Sequence, residues 1–236
     1  MAVHETLNKV VKLGTLQKAW PEEKEFLQIF EQELYNRRGA FSENSFSIKL
    51  AQGREVLTEY YKVRLPIWKE NEVVTTEKWI ETDLNGVVIG GKTDKLIFNG
   101  NNVIVVDYKT GNPQNAQKSF NRPSSKSLAE NKLPPKYWFQ LGLYTLIVSK
   151  QTGKNWVGSM AIIDSVDKDT KGDFPVLKQT YNSEDYELLT ALLEEGNQKL
   201  KKLEFLTGCG KKECEWCQFS KSSGQAVPDL PKDEEL

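Results

Sequence analysis

Along the first seventy residues the apolar positions recur at helical spacing, with Val3, Leu7, Val10 and Val11 on one face. Pro21-Glu22-Glu23 then opens a second helix. Proline suits a first turn, where its missing donor is not needed, and acids suit the positive end of the helix dipole. This helix carries Phe26, Leu27, Phe30 and Leu34 on one side, and Gly39 marks its expected end. Leu50, Val56, Leu57, Tyr60 and Tyr61 predict a third helix from about Phe46 to Trp68, interrupted or kinked at Pro66. After Asn71 the period changes to two. Val73, Thr75, Glu77 and Trp79 alternate with Val74, Thr76, Lys78 and Ile80, a strand pattern rich in β-branched residues. Asn85-Gly86 supplies a tight hairpin turn, Val87 to Phe98 a second strand, and Asn99-Gly100 another turn. Val103 to Lys109 is the third strand, and its four consecutive aliphatic residues imply burial on both faces.

Gly111 to Pro134 shows glycine, prolines, serines and asparagines without periodicity and is expected to be a long mobile loop. From Pro135 to about Ser149, Tyr137, Trp138, Leu141, Tyr144, Leu146, Ile147 and Val148 wrap most of a helix, which implies burial between layers. Trp156 to Ile163 and Val176 to Thr180 have strand character. Asn182 or Ser183 caps a last helix through about Leu206. Beyond Phe219 the serines, Pro228, Pro231 and terminal acids predict disorder. The expected fold is α/β: a mixed, mostly antiparallel central sheet flanked by helices. One domain is expected over residues 1–220, with a helical part (1–71), a core (72–206) and a cysteine-containing segment (207–220), before a disordered tail (221–236).

Composition narrows the function classes. Hydrophobic residues make up 38% and charged residues 28% of the chain, and no apolar run approaches the roughly 20 residues needed to span a bilayer. No basic start followed by an apolar stretch marks a secretory signal, so a cytoplasmic protein is the default and the C-terminal Asp-Glu-Glu-Leu has nothing to retain. A net charge of −1 argues against a surface that grips a polyanion everywhere. The distribution is uneven, however. Between Lys109 and Lys150 stand Lys118, Arg122, Lys126, Lys132 and Lys136, with Glu130 the only acid. Such a segment suits a localised phosphate-tracking surface, and it equally suits a solvated loop.

The chemistry gathers at strand ends. Asp107 and Lys109 are two apart on one strand, so their side chains leave the same face. Asp94, on the preceding hairpin strand, can approach that face. Two converging carboxylates suit a hard divalent cation, and an adjacent ammonium can orient a water or stabilise developing phosphate charge. Phosphodiester hydrolysis needs this set of groups.

Gly91-x2-Asp94, Val105-Val106-Asp107-Tyr108-Lys109-Thr110-Gly111 and Gln140-x3-Tyr144 together resemble the RecB-type branch of the PD-(D/E)XK nucleases, whose fold is restriction-endonuclease-like. The resemblance follows the order of elements over most of residues 1–220. It implies that Asp94 and Asp107, with the backbone carbonyl of Tyr108, ligate Mg2+ or Mn2+, and that Lys109 activates or positions the attacking water. It implies that Gln140 and Tyr144, on one helical face, sit near the scissile strand; their spacing alone equally suits a half-buried helix face. His4, the only histidine, resembles the metal-binding histidine of this branch. The glycine that usually precedes it is absent, which suggests a fragment of a longer protein. A lone histidine also suits a structural or exposed role. Glu77 matches an acidic position of such nucleases, or is an exposed strand residue.

Cys209-x4-Cys214-x2-Cys217 resembles the cysteine cluster that follows some RecB-type nuclease cores and holds an iron-sulfur cluster. Such a cluster wants four thiolates and only three cysteines are present. Zinc is a second reading, and plain reduced cysteines the simplest. Gly86 to Thr93 fits the formal phosphate-loop pattern G-x4-G-K-[ST], but it follows an Asn-Gly turn and runs on as a strand, where that loop must open a helix. The sequence context therefore argues against an NTPase. The resulting expectation is a Mg-dependent deoxyribonuclease, an exonuclease-like module of a RecB- or AddB-like helicase-nuclease in DNA repair or recombination, with DNA as substrate and helicase domains or a helicase subunit as partner. A silent DNA-binding module that keeps the nuclease fold is the rival from another class, and a phage-type recombination exonuclease is a third reading.

Overall fold

A computed structural model describes residues 2–70, 73–99, 102–129, 133–152 and 160–202. The chain divides into two compact units, Met1–Leu189 and Thr190–Leu236. In the second, the described residues continue the last helix, where Lys199 pairs with Glu195 one turn away at 2.6 Å.

The first unit opens with three helices, α1 (Ala2–Leu16), α2 (Glu23–Tyr35) and α3 (Glu43–Glu70). A three-residue 3-10 turn containing Gly39 separates α2 from α3, so α2 ends four residues before the glycine. Helix α3 is not interrupted at Pro66 but runs through it as continuous helix. Pro66 and Lys62, whose carbonyl loses its helical donor there, both face solvent, and water can satisfy the freed group.

The hairpin pattern gives β1 (Val73–Leu84), β2 (Val87–Asn99) and β3 (Asn102–Lys109), all antiparallel neighbours. The positive φ of Asn85 and Gly86 matches the two-residue turn between the first two. A long crossover then leads to β4 (Met160–Ser165), which pairs parallel to β3, and β5 (Val176–Thr180) closes the sheet antiparallel. The strand order is β1-β2-β3-β4-β5, a mixed and mostly antiparallel sheet with helices on both faces. The Trp156–Ser159 part of the expected fourth strand lies outside the described residues.

Side-chain alternation on β3 divides the core in two. Val106 and Tyr108 pack with Leu7, Val10, Phe26, Phe30, Leu57 and Tyr61 from α1 to α3. Val103 and Val105 face the other way, toward Trp138, Leu141, Ile147 and Phe120. The expected burial of β3 on both faces is thus met, and the strand carrying Asp107 is held from both sides.

The crossover corrects one expectation. Gly111 to Pro134 is not a structureless loop, because its described part contains α4 (Pro113–Phe120) and α5 (Ser125–Ala129). Asn112 caps α4, accepting from the Gln114 and Asn115 amides at 2.8 and 3.1 Å. Proline occupies the first helical position, and Pro113, Ala116 and Phe120 make a buried face at helical spacing. Next come α6 (Lys136–Thr152), the expected interlayer helix, and α7 (Ser183–Lys201). Asn182 caps α7 by a reciprocal pair with Asp185, each side chain accepting the other's amide at 3.0 Å. No helix among the described residues is long and apolar enough to cross a membrane.

Candidate active site

Asp107, Tyr108 and Lys109 occupy the end of β3. The register pairs Lys95 with Val106, which puts Asp94 opposite the start of this triplet. Asp94 reaches across the ladder, and its Oδ2 accepts from the Tyr108 amide at 2.9 Å. Asp107 and Lys109 leave the same face as the two-residue repeat requires, and their carboxylate and ammonium are in direct contact. Asp107 is buried while Lys109 and Asp94 stay partly exposed.

The first turn of α1 completes the group. His4 Nε2 lies 2.7 Å from the Tyr108 carbonyl oxygen and 3.9 Å from Asp94 Oδ2. The four groups expected to hold a cation, His4, Asp94, Asp107 and the Tyr108 carbonyl, therefore meet at one strand end. Among the described residues no three acidic, histidine or cysteine side chains are drawn together closely enough to form a finished metal cage. The donor set nevertheless fits a hard divalent ion, being oxygens plus one imidazole. Burial pushes the Asp107 carboxyl up to about 6 even though Lys109 opposes the shift and Asp94 adds to it. Burial outweighs the Lys109 ammonium at that carboxyl, and a bound cation would favour its charged form further.

Gln140 and Tyr144 lie on α6, which packs against β1, β2 and β3. The Gln140 amide donates to the Tyr144 hydroxyl at 3.3 Å. The Tyr144 ring lies so close over Gly91 that a β-carbon there would stand 2.4 Å from the ring and 2.8 Å from the hydroxyl. This is why a glycine precedes Asp94 by three. One neighbour was not singled out from sequence. The Lys109 ammonium sits 4.5 Å from the centroid of the Tyr137 ring. Tyr137 is three residues before Gln140, so helical spacing from that residue was the available signal.

A second layer lies beneath Tyr108. Arg64 of α3 donates to Asp164 of β4 and to the Phe174 carbonyl, both at 2.8 Å, with both side chains of the pair buried. Lys95, also buried, faces the Tyr108 and Trp68 rings at 4.9 and 5.7 Å, and burial lowers its amine to about 8. Nothing local in the sequence signals this cluster. Glu77 pairs instead with Lys92 at 2.8 Å and takes a left-handed φ of 50°. Of the basic segment, Arg122 is held by Glu184 and Asp185, and Lys136 lies over Tyr137. Cys209, Cys214 and Cys217 lie outside the described residues.

The family model of the PD-(D/E)XK nuclease superfamily matches residues 1–222. A search of curated proteins finds no match. Among solved structures, a candidate exonuclease from Eubacterium rectale superposes with a TM-score of 0.52 at 12% identity, covering 95% of this chain and 82% of that one. The crystal structure of SSO0001 aligns at 17% identity over 93% of this chain and 83% of that one, with a TM-score of 0.35. At 12% identity the likeness to the Eubacterium rectale structure concerns the fold alone.

Proposed function

We propose that this chain, which belongs to the PD-(D/E)XK nuclease superfamily, hydrolyses phosphodiester bonds of DNA with the help of a bound Mg2+ or Mn2+. The observation that carries the reading is the meeting of residue 4 with residues 94 and 107–109 at one strand end, through the 2.7 Å contact of His4 with the Tyr108 carbonyl. In this reading Asp94, Asp107, His4 and the Tyr108 carbonyl hold the ion, which supplies positive charge for the phosphate oxygens and lowers the pKa of a bound water. Lys109, held by Asp107 and backed by the Tyr137 ring, orients the attacking water and faces the developing negative charge. Gln140 and Tyr144 contact the scissile strand. The attacking water gives up a proton and the leaving oxygen takes one, so the net change is P–O cleavage by water.

The resemblance in Gly91-x2-Asp94 and Asp107-Tyr108-Lys109-Thr110-Gly111 extends the reading to an exonuclease module of a RecB- or AddB-like helicase-nuclease in repair or recombination. Helicase domains or a helicase subunit then supply the ATP-driven movement. The test is incubation of the purified chain with end-labelled DNA in Mg2+, Mn2+ or EDTA. Degradation with either cation and none in EDTA is expected. DNA binding without degradation in any cation overturns the enzyme in favour of a silent binding module.

A further inference from the structure

Two ammonium groups share one aromatic ring beside the reactive strand end. The Lys109 Nζ stands 4.5 Å from the centroid of the Tyr137 ring, and the Lys136 Nζ stands 4.7 Å from it. Like charges repel, and among the described residues this pair is offered one carboxylate, Asp107, which contacts Lys109. We propose that Tyr137 is a positioning residue for phosphodiester cleavage: its ring face holds the Lys109 ammonium at the strand end and gathers Lys136 beside it as a second cation for the substrate phosphate. The inference rests on the nuclease reading and deepens it, adding one positioning residue and one phosphate contact to that site.

Residues 134 to 137 read Pro-Pro-Lys-Tyr. The two prolines fix the backbone ahead of α6, and the Phe139 amide closes its first turn on the Pro135 carbonyl at 3.0 Å. Tyr137 is thereby set at the second position of α6, where it packs, half-buried, against the core cluster that includes Trp138, Leu141 and Phe120. Val103 and Val105 of β3 belong to the same cluster, so the two-residue repeat brings Asp107 and Lys109 out on the face that α6 covers. Register carries Lys109 to the ring, and the core fixes the ring in place.

A lysine reaches its partner on a flexible four-carbon stem, and holding it in one place costs rotamer freedom. Asp107 alone is a poor anchor. The nuclease reading assigns that carboxylate to the ion as well, and charge that serves a metal is no longer free for the ammonium. The ring face has no net charge to share. Its attraction for an ammonium persists whether or not Asp107 is engaged, and it is stronger where water is partly excluded, as at Lys109, whose side chain is 19% exposed. Lys136 differs from it. Lys136 is exposed, forms no ion pair among the described residues, and stands in the first turn of a helix, where the dipole disfavours a cation. That placement does nothing for the stability of the free protein, and it suits an anion that both ammonium groups can meet.

Tyr137→Leu removes the ring face and Tyr137→Phe keeps it. Both are compared with wild type in steady-state degradation of end-labelled DNA in Mg2+, after thermal melts have shown that each is folded. Tyr137→Leu is expected to lower kcat about tenfold, the effect of one well-formed cation–π contact, with Mn2+ affinity unchanged in isothermal titration, while Tyr137→Phe stays within about threefold of wild type. Lys136→Gln is expected to reduce the slope of log KM against log salt concentration by about 1, the loss of one phosphate contact. A second readout needs no activity. In heteronuclear NMR spectra of protein labelled at lysine Cε, the ring should shift upfield the signals that disappear in Lys109→Arg and in Lys136→Arg. Tyr137→Phe retains these shifts and Tyr137→Leu abolishes them; their presence in wild type decides the contact even if the Leu variant does not fold. A folded Tyr137→Leu with the kcat of wild type, a Phe variant as slow as the Leu variant, an unaltered salt slope, or unshifted lysine signals overturns the inference, and DNA degradation by wild type then leaves the nuclease reading standing. Shifted signals in a wild-type chain that degrades no DNA in Mg2+ or Mn2+ remove the nuclease reading itself, and the positioning role falls with it.

Discussion

The imidazole of His4 and the main-chain carbonyl of Tyr108, 104 residues apart in sequence, meet at 2.7 Å. The carbonyl accepts from Nε2. Both groups are ordinary ligands of divalent cations, and Asp94 Oδ2 stands 3.9 Å from the same imidazole nitrogen. The contact joins the first helix to the central strand, and it exists only if α1 packs across the sheet.

If both groups serve one ion, His4→Ala weakens Mn2+ binding by roughly tenfold or more in isothermal titration. The DNA-degrading rate falls at low metal and recovers as metal is raised. His4 is partly exposed in the first turn of α1, so the thermal midpoint should barely move. Unaltered Mn2+ affinity removes His4 from the ligand set.

Asp107 predicts a pH dependence of stability. Its folded carboxyl, pushed up to about 6 by burial, stands above the ordinary value of 3.8. For a raised pKa the stabilising contribution is present below the unfolded value and lost as pH rises through the folded one. Metal-free protein therefore loses on the order of 2–3 kcal/mol from this group between about pH 4 and pH 7. Asp107→Asn should unfold at higher urea than wild type at pH 7.5 in EDTA, and the gap should close toward pH 4. Added Mg2+ stabilises wild type only. An Asn variant weaker than wild type at pH 7.5 contradicts the assigned burial cost.

Gly91 and Tyr144 form a steric pair. Gly91→Ala forces the ring away, with a cost of about 1–3 kcal/mol in denaturant melts and loss of the Gln140–Tyr144 hydrogen bond. In a Tyr144→Ala background the same substitution should cost under about 0.5 kcal/mol, since no ring remains to move. Equal costs in both backgrounds contradict the close approach.

The buried Arg64–Asp164 pair supports β4 beside the strand that carries the site. Removing one partner strands the other charge, so Asp164→Ala should lower unfolding free energy by roughly 3–5 kcal/mol. The double replacement Arg64→Met with Asp164→Leu should recover most of that loss. Additive single losses would mean that the two charges are independent.

The site elements differ in how far their sequence signals reach. Asp107 and Lys109 were readable because a strand's two-residue repeat puts them on one face, and Asp94 because an Asn-Gly turn limits where its strand can pair. The mixed sheet followed from the same periodicities. His4 was named through resemblance alone, since its contact depends on helix packing across 104 residues. Helix α4 was missed because eight residues offer little periodicity; its signal was the short Asn112-Pro113 cap. Arg64 and Asp164 have no local signature at all, each looking like an ordinary charge until the fold buries both. Tyr137 was counted as core, and only its placement beneath the Lys109 ammonium separates it from the other aromatic residues of α6.

The most direct test compares wild type with Asp107→Ala and Lys109→Ala in degradation of end-labelled DNA with Mg2+, each variant first shown to keep the wild-type circular dichroism spectrum. Each substitution is predicted to lower the rate by roughly 10²-fold or more, because it removes a group acting where charge develops. Two folded variants that degrade DNA as fast as wild type would contradict the assignment of the chemistry to this strand end.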